Sequence, residues 1–467
     1  MSSNIVADRM QFHGVSSADT GSLTAPPGLR SALVAQGIER RPPEPDAQVR
    51  ILPRALVLRA ILPHMGEASV NPGQCPYSPT DPSVVENPFP AYERLRDECP
   101  VHHSTMAGVD FLTVARRDDV HSILTAPNLW VNRHGAGIAY SGEDGRGNLQ
   151  HYDQPEHTKR RVLMRNEFNP LEVRKLADST RALAVGLAED MEAAGNEAEL
   201  HDDFACPLPI LGFIDLMGVD PADRHLIKSW ADQLVLGLSD PKQAVKPTAE
   251  IKAYINAAVS ERRRIADSGG TPRPGLLTEY SLRLLDGERI PLVEMESMVL
   301  QLLVAGHETT TSLITNFMWR MLEDTSRWDR IVVDHSLIPN AIEESLRYDP
   351  PVLGLFRTNV EETSIRDVPV PAKSKVMALY ASANRDPEAF PNPDHFDIDR
   401  DEMQLKRHYS FGWGIHHCLG APLARQTARI AIETLASRFP KMRSNGPTER
   451  LAPEILWGRR KLPVRLS

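Results

Sequence analysis

The sequence is poor in cysteine and lacks long apolar runs, and each scarcity excludes a class of protein. The chain holds four cysteines, Cys75, Cys99, Cys206 and Cys418, too widely spaced for a zinc or iron–sulfur motif. Such sparse cysteine favours a reduced, cytoplasmic protein. Since no run of about 18 apolar residues occurs, we expect no membrane anchor and no secretory signal.

A surplus of positive charge is also missing. The chain carries 53 Lys and Arg against 62 Asp and Glu, a formal net charge of -9. Nucleic-acid partners usually require a basic surface, so we expect none here. The 41% apolar and 25% charged residues are instead typical of a globular protein with an ample core.

Residues 1–64 are rich in Pro, Arg and Ser and lack hydrophobic periodicity, which is typical of a disordered leader. Within them, residues 34–53 also resemble the accidental translation of a transfer-RNA gene, in which case Met65 is the true start. Both alternatives stay open. We predict a single domain over residues 65–467.

Helical patterns dominate from about Asn87 onward. They cover residues 92–97, 117–124, 171–194, 221–238, 248–268, 292–322, 340–348 and 421–438. Strand patterns are short, at 109–115, 363–365 and 375–380, and glycines crowd a loop at 135–147. The patterns predict a mainly α fold with small β-sheets.

The strongest chemical signal is the segment Phe411-Gly-Trp-Gly-Ile-His-His-Cys-Leu-Gly420. Its glycines, Gly412, Gly414 and Gly420, allow tight turns and a close approach of the backbone to a planar ligand. Cys418 precedes a helical run, and the free amides at a helix start should favour its thiolate. A buried, inert thiol is the alternative.

This segment resembles the cytochrome P-450 signature F-x-x-G-x-x-x-C-x-G, which it matches at Phe411, Gly414, Cys418 and Gly420. The resemblance implies the P-450 fold, with haem b buried between the long central helix and the cysteine-loop helix. It implies that Cys418 is the iron ligand of a haem-thiolate monooxygenase.

The central helical segment carries Ala305-Gly-His-Glu-Thr-Thr310 at its middle. Glycine and successive threonines weaken a helix, so we expect a local bulge there. By resemblance Glu308 and Thr309 are the catalytic acid and alcohol that deliver protons to oxygen. The alternative is a solvated Glu308 and a Thr309 bonded back to its own helix.

A second motif, Glu344-Ser-Leu-Arg347, places both charges on one helix face. By resemblance this pair defines the fold and is completed by a third group near residues 393–396. That group is His395 or Arg400, and the sequence leaves the choice open.

Haem carries two propionates, which require cationic or hydrogen-bonding residues. The resemblance assigns this role to His157, Arg161, Arg357 and His416. It adds Ala305, Phe411, Gly412 and Gly420 as further residues against the cofactor.

An apolar pocket is expected above the haem, which predicts a hydrophobic small-molecule substrate. Its lining is predicted to include Leu302, Val352, Leu353, Leu355, Ile455 and Leu456. The glycine-rich loop and the segment 220–245 are candidates for the entry lid.

Electrons must come from outside, because the sequence has no nucleotide-binding glycine fingerprint and no ferredoxin cysteine pattern. The resemblance implies NAD(P)H as their source, delivered through a ferredoxin-type partner to a monomeric enzyme. A basic dock is predicted at Lys159, Arg160, Lys406, Arg407 and Arg425; a merely solvated basic face is the alternative. The alternative functions are a peroxide-dependent haem-thiolate enzyme, a non-catalytic haem-binding protein, and an isomerase or dehydratase on the same scaffold.

Overall fold

The computed structural model describes residues 75, 77–138, 148–236, 241–451 and 454–467. The predicted leader, the predicted domain start at Met65 and most of the glycine-rich loop lie outside these residues. The described residues belong to one compact unit, Val70–Ser467.

Helices dominate that part of the chain, as the sequence predicts. In chain order they are α1 (Pro82–Glu86), α2 (Phe89–Glu98), α3 (Arg117–Thr125), α4 (Glu156–Met164), α5 (Pro170–Lys175), α6 (Ala177–Ala194), α7 (Pro207–Met217), α8 (Arg224–Leu236), α9 (Pro241–Asp267), α10 (Leu276–Leu282), α11 (Leu292–Glu323), α12 (Thr325–Val333), α13 (Ile338–Tyr348), α14 (Tyr380–Ala383), α15 (Glu402–Leu405) and α16 (Ala421–Arg438). A π-helical turn, His201–Ala205, leads into α7. Among the described residues, no helix has the length and apolar character needed to cross a membrane.

The strands are short and form small sheets. They are β1 (Val101–Met106), β2 (Val109–Val114), β3 (Trp130–Val131), β4 (Glu197–Glu199), β5 (Leu284–Leu285), β6 (Glu288–Arg289), β7 (Leu355–Asn359), β8 (Thr363–Ile365), β9 (Val368–Val370), β10 (Lys375–Ala378), β11 (Arg443–Ser444), β12 (Glu449–Arg450), β13 (Arg459–Lys461) and β14 (Pro463–Arg465). The largest sheet has the order β1-β2-β10-β7-β3, in which β2 and β10 pair in parallel and the other neighbours pair antiparallel.

Helix α11 is the centre of the helical part, and its two halves belong to different apolar clusters. Met295 and Leu303 in its first half pack with α8 and α9, whereas Leu313 and Phe317 in its second half pack with α6, α13 and α16. Its 32 residues give a rod of about 48 Å at the rise of an α-helix. A group bound near the middle of α11 would therefore lie close to both apolar clusters.

Helix α9 begins at Pro241, earlier than the predicted residue 248, and two further details differ from the sequence prediction. The predicted helix 171–194 is two helices, because the chain tightens at Leu176, whose N–H donates to the carbonyl of Val173. The predicted bulge around Gly306 is wrong, since α11 is α-helical from Leu292 to Glu323. The Thr311 hydroxyl lies 3.1 Å from the carbonyl oxygen of His307 in its own helix and 3.3 Å from that of Ala205 in the π-helical turn.

The Glu344–Arg347 pair is buried, with no exposed surface on either residue. Arg347 donates to Glu344 at 2.7 and 2.8 Å, and Arg400 donates to the same carboxylate at 3.0 Å. His395 contributes only its carbonyl oxygen, which accepts from both arginines. Of the two candidates, the third side chain of this cluster is therefore Arg400 and not His395, whose side chain is exposed.

Candidate functional site

The cysteine loop is held by its own backbone. The N–H of Cys418 donates to the carbonyl of Phe411 at 2.8 Å, and a 3₁₀ turn, Gly414–His416, lies inside the loop. Gly412 and Gly414 have φ of 66° and 71°, values that L-residues rarely adopt. A Cβ on Gly414 would also lie 2.5 Å from the carbonyl oxygen of Leu124. Glycine is thus required at 414, as the sequence predicts.

Cys418 is surrounded by protein atoms, yet its own surface is exposed. A group with both properties lines an internal recess rather than the outer surface. Burial raises the pKa of the Cys418 thiol, although the N–H groups of Gly420 and Ala421 and the cation of Arg161 lower it. The amides at the helix start act in the predicted direction, but desolvation of the sulfur outweighs them. A thiolate there requires a bound metal cation.

Two histidines meet beside this loop. The ring centroids of His157 and His416 lie 4.3 Å apart. Burial, followed by the charge of Arg161, lowers the pKa of His157 to about 4. Within the described part of the chain, neither ring nitrogen of the buried His157 has a hydrogen-bond partner. Because buried polar atoms are normally satisfied, these nitrogens indicate that an acceptor-bearing ligand belongs here.

Arg161 and Arg357 lie close to the histidines. Arg161 donates to the carbonyl of His417 at 2.7 Å, and Arg357 donates to that of Phe356 at 2.9 Å. No carboxylate of the described ranges forms an ion pair with either guanidinium. Burial, followed by the charge of Arg357, lowers the pKa of His416 to about 2. Two cations without an acidic partner fit a ligand with two carboxylates.

The middle of α11 also carries exposed surface, at Ala305 and Gly306, although the next two residues are buried. Burial raises the pKa of Glu308 to about 7, and Ser312 donates to its carboxylate at 3.3 Å. The Thr309 hydroxyl donates to the carbonyl of Ala305 at 2.6 Å. The alternative of a solvated Glu308 is therefore wrong. The alternative of a Thr309 hydroxyl bonded back to its own helix is observed.

The predicted pocket residues fall into two groups. Val352 pairs with Leu456 in an isolated β-bridge, and the Leu353 N–H donates to the carbonyl of Ile455 at 2.9 Å. Leu353 and Ile455 pack in an apolar cluster with helix α2, Leu355 lies half-buried in β7, and Leu302 packs in the cluster of α8 and α9. The structure thus joins the segments around 352 and 455 directly but leaves Leu302 in a separate cluster.

Most of the predicted basic dock is already paired with acids. Lys159 pairs with Asp286, Arg160 with Glu294, Lys406 with Glu402, and Arg425 with Glu343. Arg407 donates to the carbonyl of Ala389. The charge available to a partner is therefore smaller than the sequence implies.

Sequence reasoning missed His151 and the surroundings of His307. His151 is partly buried, has an unpartnered Nδ1 and interacts electrostatically with His416. Its position six residues before His157 was the available signal. The sequence assigns no role to His307, whose Nε2 lies 3.3 Å from the sulfur of Cys206.

Comparison with known proteins adds independent findings. The family model described as "Cytochrome P450" matches residues 332–444. Cytochrome P450 109 of Bacillus spizizenii is 33% identical over 386 residues, which are 81% of this chain and 92% of that relative. Cytochrome P450 monooxygenase PikC of Streptomyces venezuelae is 34% identical over 81% of this chain and 91% of its own length. The structure of cytochrome P450 CYP109Q5 from Chondromyces apiculatus is similar with a TM-score of 0.75 and 31% identity, covering 84% of this chain and 98% of that one.

Proposed function

Since the chain belongs to the cytochrome P450 family and is a monooxygenase with haem b as cofactor, we propose that it hydroxylates a hydrophobic small molecule with one oxygen atom of O2. Cys418 would bind the haem iron through its sulfur in this proposal. The supporting observation is the recess that Cys418 lines beside unpartnered His157 and carboxylate-free Arg161 and Arg357.

Different residues would bind different parts of the haem. Cys418 offers sulfur to the iron, and the N–H groups of Gly420 and Ala421 stabilise its negative charge. His157, Arg161, Arg357 and His416 would hold the propionates, while Ala305, Phe411, Gly412 and Gly420 would lie against the rest of the cofactor. When bound, haem with a thiolate ligand supplies oxygen binding and O–O cleavage.

Glu308 and Thr309 are proposed to move protons. A carboxyl group with a pKa of about 7 holds a proton part of the time near neutral pH and can release it to a neighbour. The Thr309 hydroxyl donates to Ala305, so its oxygen lone pairs stay available to accept. The buried position of Glu308 limits water around this path.

The two electrons are proposed to come from NAD(P)H through a separate ferredoxin-type protein. The substrate is proposed to lie near Leu302, Val352, Leu353, Leu355, Ile455 and Leu456. We propose that the enzyme acts as a monomer in the cytoplasm.

The first test is a reduced carbon monoxide difference spectrum of the purified protein. The wild type should show the thiolate-haem band, and Cys418→Ala should lose it, because alanine offers no sulfur. Cys99→Ala is the matched control and should keep the band. A wild-type protein without the band contradicts Cys418 ligation.

The second test separates the alternatives by their oxidant. Binding of terpenoid, steroid, fatty-acid and aromatic compounds is screened by displacement of iron-bound water, and ligands are then incubated with NADPH, ferredoxin, reductase and O2. Hydroxylated product with matching NADPH consumption supports the proposal. Product from hydrogen peroxide alone would favour the peroxide-dependent enzyme, and an absence of product from every ligand would favour a carrier.

A further inference from the structure

Behind the proposed proton path lies a second cluster of potential ligands. Cys206 is the residue before α7, Asp232 lies on α8 and His307 on α11. One ligand atom from each of them lies within 4.8 Å of the other two. We propose that these three side chains form a binding site for a thiophilic divalent cation, for which Zn²⁺ is the best fit.

The donor set favours zinc over harder cations. Sulfur, imidazole nitrogen and a single carboxylate are ligands typical of Zn²⁺, whereas Ca²⁺ and Mg²⁺ prefer oxygen ligands only. Around a tetrahedral zinc ion the ligand atoms stand about 3.5 Å apart. The Cys206 sulfur and the His307 Nε2 already stand 3.3 Å apart. Asp232 is half-exposed, so its side chain can turn toward them, and water completes the shell.

The histidine is prepared to act as a ligand. His307 is 2% exposed, and among the described residues its Nδ1 has no hydrogen-bond partner. Burial lowers the pKa of His307 to about 4, so the imidazole is neutral at pH 7. The nitrogen offered to the cation would be Nε2, which faces the Cys206 sulfur.

Charges around the cluster act in both directions. Lys228 pairs with Asp232 at 2.8 Å and opposes a cation, but both side chains are more than one-third exposed and can separate. Asp202 and Glu308 act electrostatically on Cys206 and favour a cation. Burial raises the pKa of the Cys206 thiol to about 12, so the cation must displace its proton.

Occupation of the site would link α7, α8 and α11 next to Glu308. If the proposed function holds, zinc should therefore slow turnover, because it fixes α8 and constrains the helix that carries Glu308 and Thr309. Zinc binding itself does not depend on that function.

The test is equilibrium dialysis of the holoenzyme against buffered free Zn²⁺, with zinc and haem iron counted by atomic emission. The wild type should bind one zinc ion per haem. Cys206→Ala and Asp232→Asn should bind zinc about tenfold more weakly or not at all. Cys99→Ala is the matched control and should bind like the wild type. Zinc-edge anomalous diffraction should place the ion between Cys206, Asp232 and His307.

Equal zinc binding by the wild type, Cys206→Ala and Asp232→Asn overturns the proposal, as does a wild type that binds none. Asp232 is partly exposed, so Asp232→Asn keeps the comparison valid if the buried cysteine variant fails to fold. Zinc content is measured without turnover. The result for the zinc site is therefore independent of the result for the proposed monooxygenase function, and either proposal can be contradicted without the other.

Discussion

At the scale of single residues, the Thr309 hydroxyl illustrates how a back-bonded side chain can still act on protons. Its hydrogen is committed to Ala305, but its oxygen can accept and then pass on a proton. We expect Thr309→Ala to keep the haem spectrum while product formed per NADPH falls at least about tenfold and hydrogen peroxide rises, since loss of one general acid–base group slows proton transfer by about 10²-fold or more. Thr309→Ser, which keeps the hydroxyl, should restore most of the product. Unchanged coupling in the alanine variant would contradict the proton role.

Glu343 provides a prediction about acid stability. Burial alone would raise the pKa of Glu343, but hydrogen bonds from Arg425 and His408 outweigh it and lower the pKa to about 2. A carboxyl whose pKa is lower in the folded state stabilises that state above its unfolded pKa of about 4.5 and loses this effect as the pH falls toward 2. Glu343→Gln should therefore be less stable than the wild type at pH 7, by about 3 kcal/mol at most.

The difference in the free energy of unfolding between Glu343→Gln and the wild type should narrow as urea unfolding is repeated at pH 4 and pH 3. Glu402→Gln, at an exposed i,i+4 pair with Lys406, is the control and should differ little from the wild type at every pH. A difference in the free energy of unfolding that stays constant with pH would show that the ion pair is not its cause.

Residue-level prediction succeeded where a motif fixed the spacing, and failed where distant groups compete. The glycine requirement at 414 could be predicted from local sequence, and the Glu344–Arg347 pair from the P-450 resemblance. The protonation of Cys418 could not, because it depends on desolvation by residues far away in the chain. The same holds for His151, whose surroundings exist only after folding.

At the scale of elements, Arg400 joins the segment after residue 390 to helix α13. Removing one partner of a buried charge cluster leaves the others uncompensated, so Arg400→Ala should lower the free energy of unfolding by about 3–5 kcal/mol. His395→Ala should change it by less than about 0.5 kcal/mol, because that side chain is exposed. Urea denaturation of both variants checks this. Similar losses in the two would show that the His395 side chain does contribute.

The cysteine loop allows a matched pair of glycine substitutions. Gly414→Ala combines a φ of 71° with a Cβ 2.5 Å from the Leu124 carbonyl. We expect a loss of roughly 1–3 kcal/mol in stability and a weakened haem spectrum. Gly186→Ala in α6 has open space around the new Cβ and should gain up to about 1 kcal/mol. Thermal unfolding followed at the Soret band measures both, and a neutral Gly414→Ala would contradict the strain argument.

A helix or strand could be predicted from the sequence where its apolar residues follow one regular spacing. Period 3.6 predicts α11 and α16 almost to their ends, and β8 is found where the strand pattern lies. The turn at Leu176 and the regularity of α11 at Gly306 were not predictable, because packing against other elements overrides the local propensity.

At the scale of the whole molecule, the ion pairing of the predicted basic dock bears on partner binding. Lys159, Arg160, Lys406 and Arg425 each have an acid within 3.1 Å. Long-range steering should therefore be weak, and we expect the KM for ferredoxin to change less than about tenfold between low salt and 0.3 M salt. Steady-state kinetics at several ionic strengths measures it. A steeper dependence would show that these pairs open on docking.

The family and the class of fold were predictable because the P-450 resemblance rests on several separated motifs. The order of strands in the largest sheet was not, because β2 and β10 come together only through the helices between them. The ion pairs between basic and acidic residues could not be predicted from composition either, because they depend on which parts of the chain lie next to each other in the fold.

The parallel pairing of β2 with β10 has a consequence for how the chain is made. Arg96, just before the β1–β2 hairpin, bonds to Ser382, which is 286 positions later. A ribosome needs roughly 15–60 s to add that many residues. During this interval the hairpin is synthesised but one edge of β2 has no neighbour, and unpaired strand edges promote aggregation. The nascent chain should accordingly depend on chaperones, and a stop codon placed before β10 should yield insoluble protein even though most helices are complete.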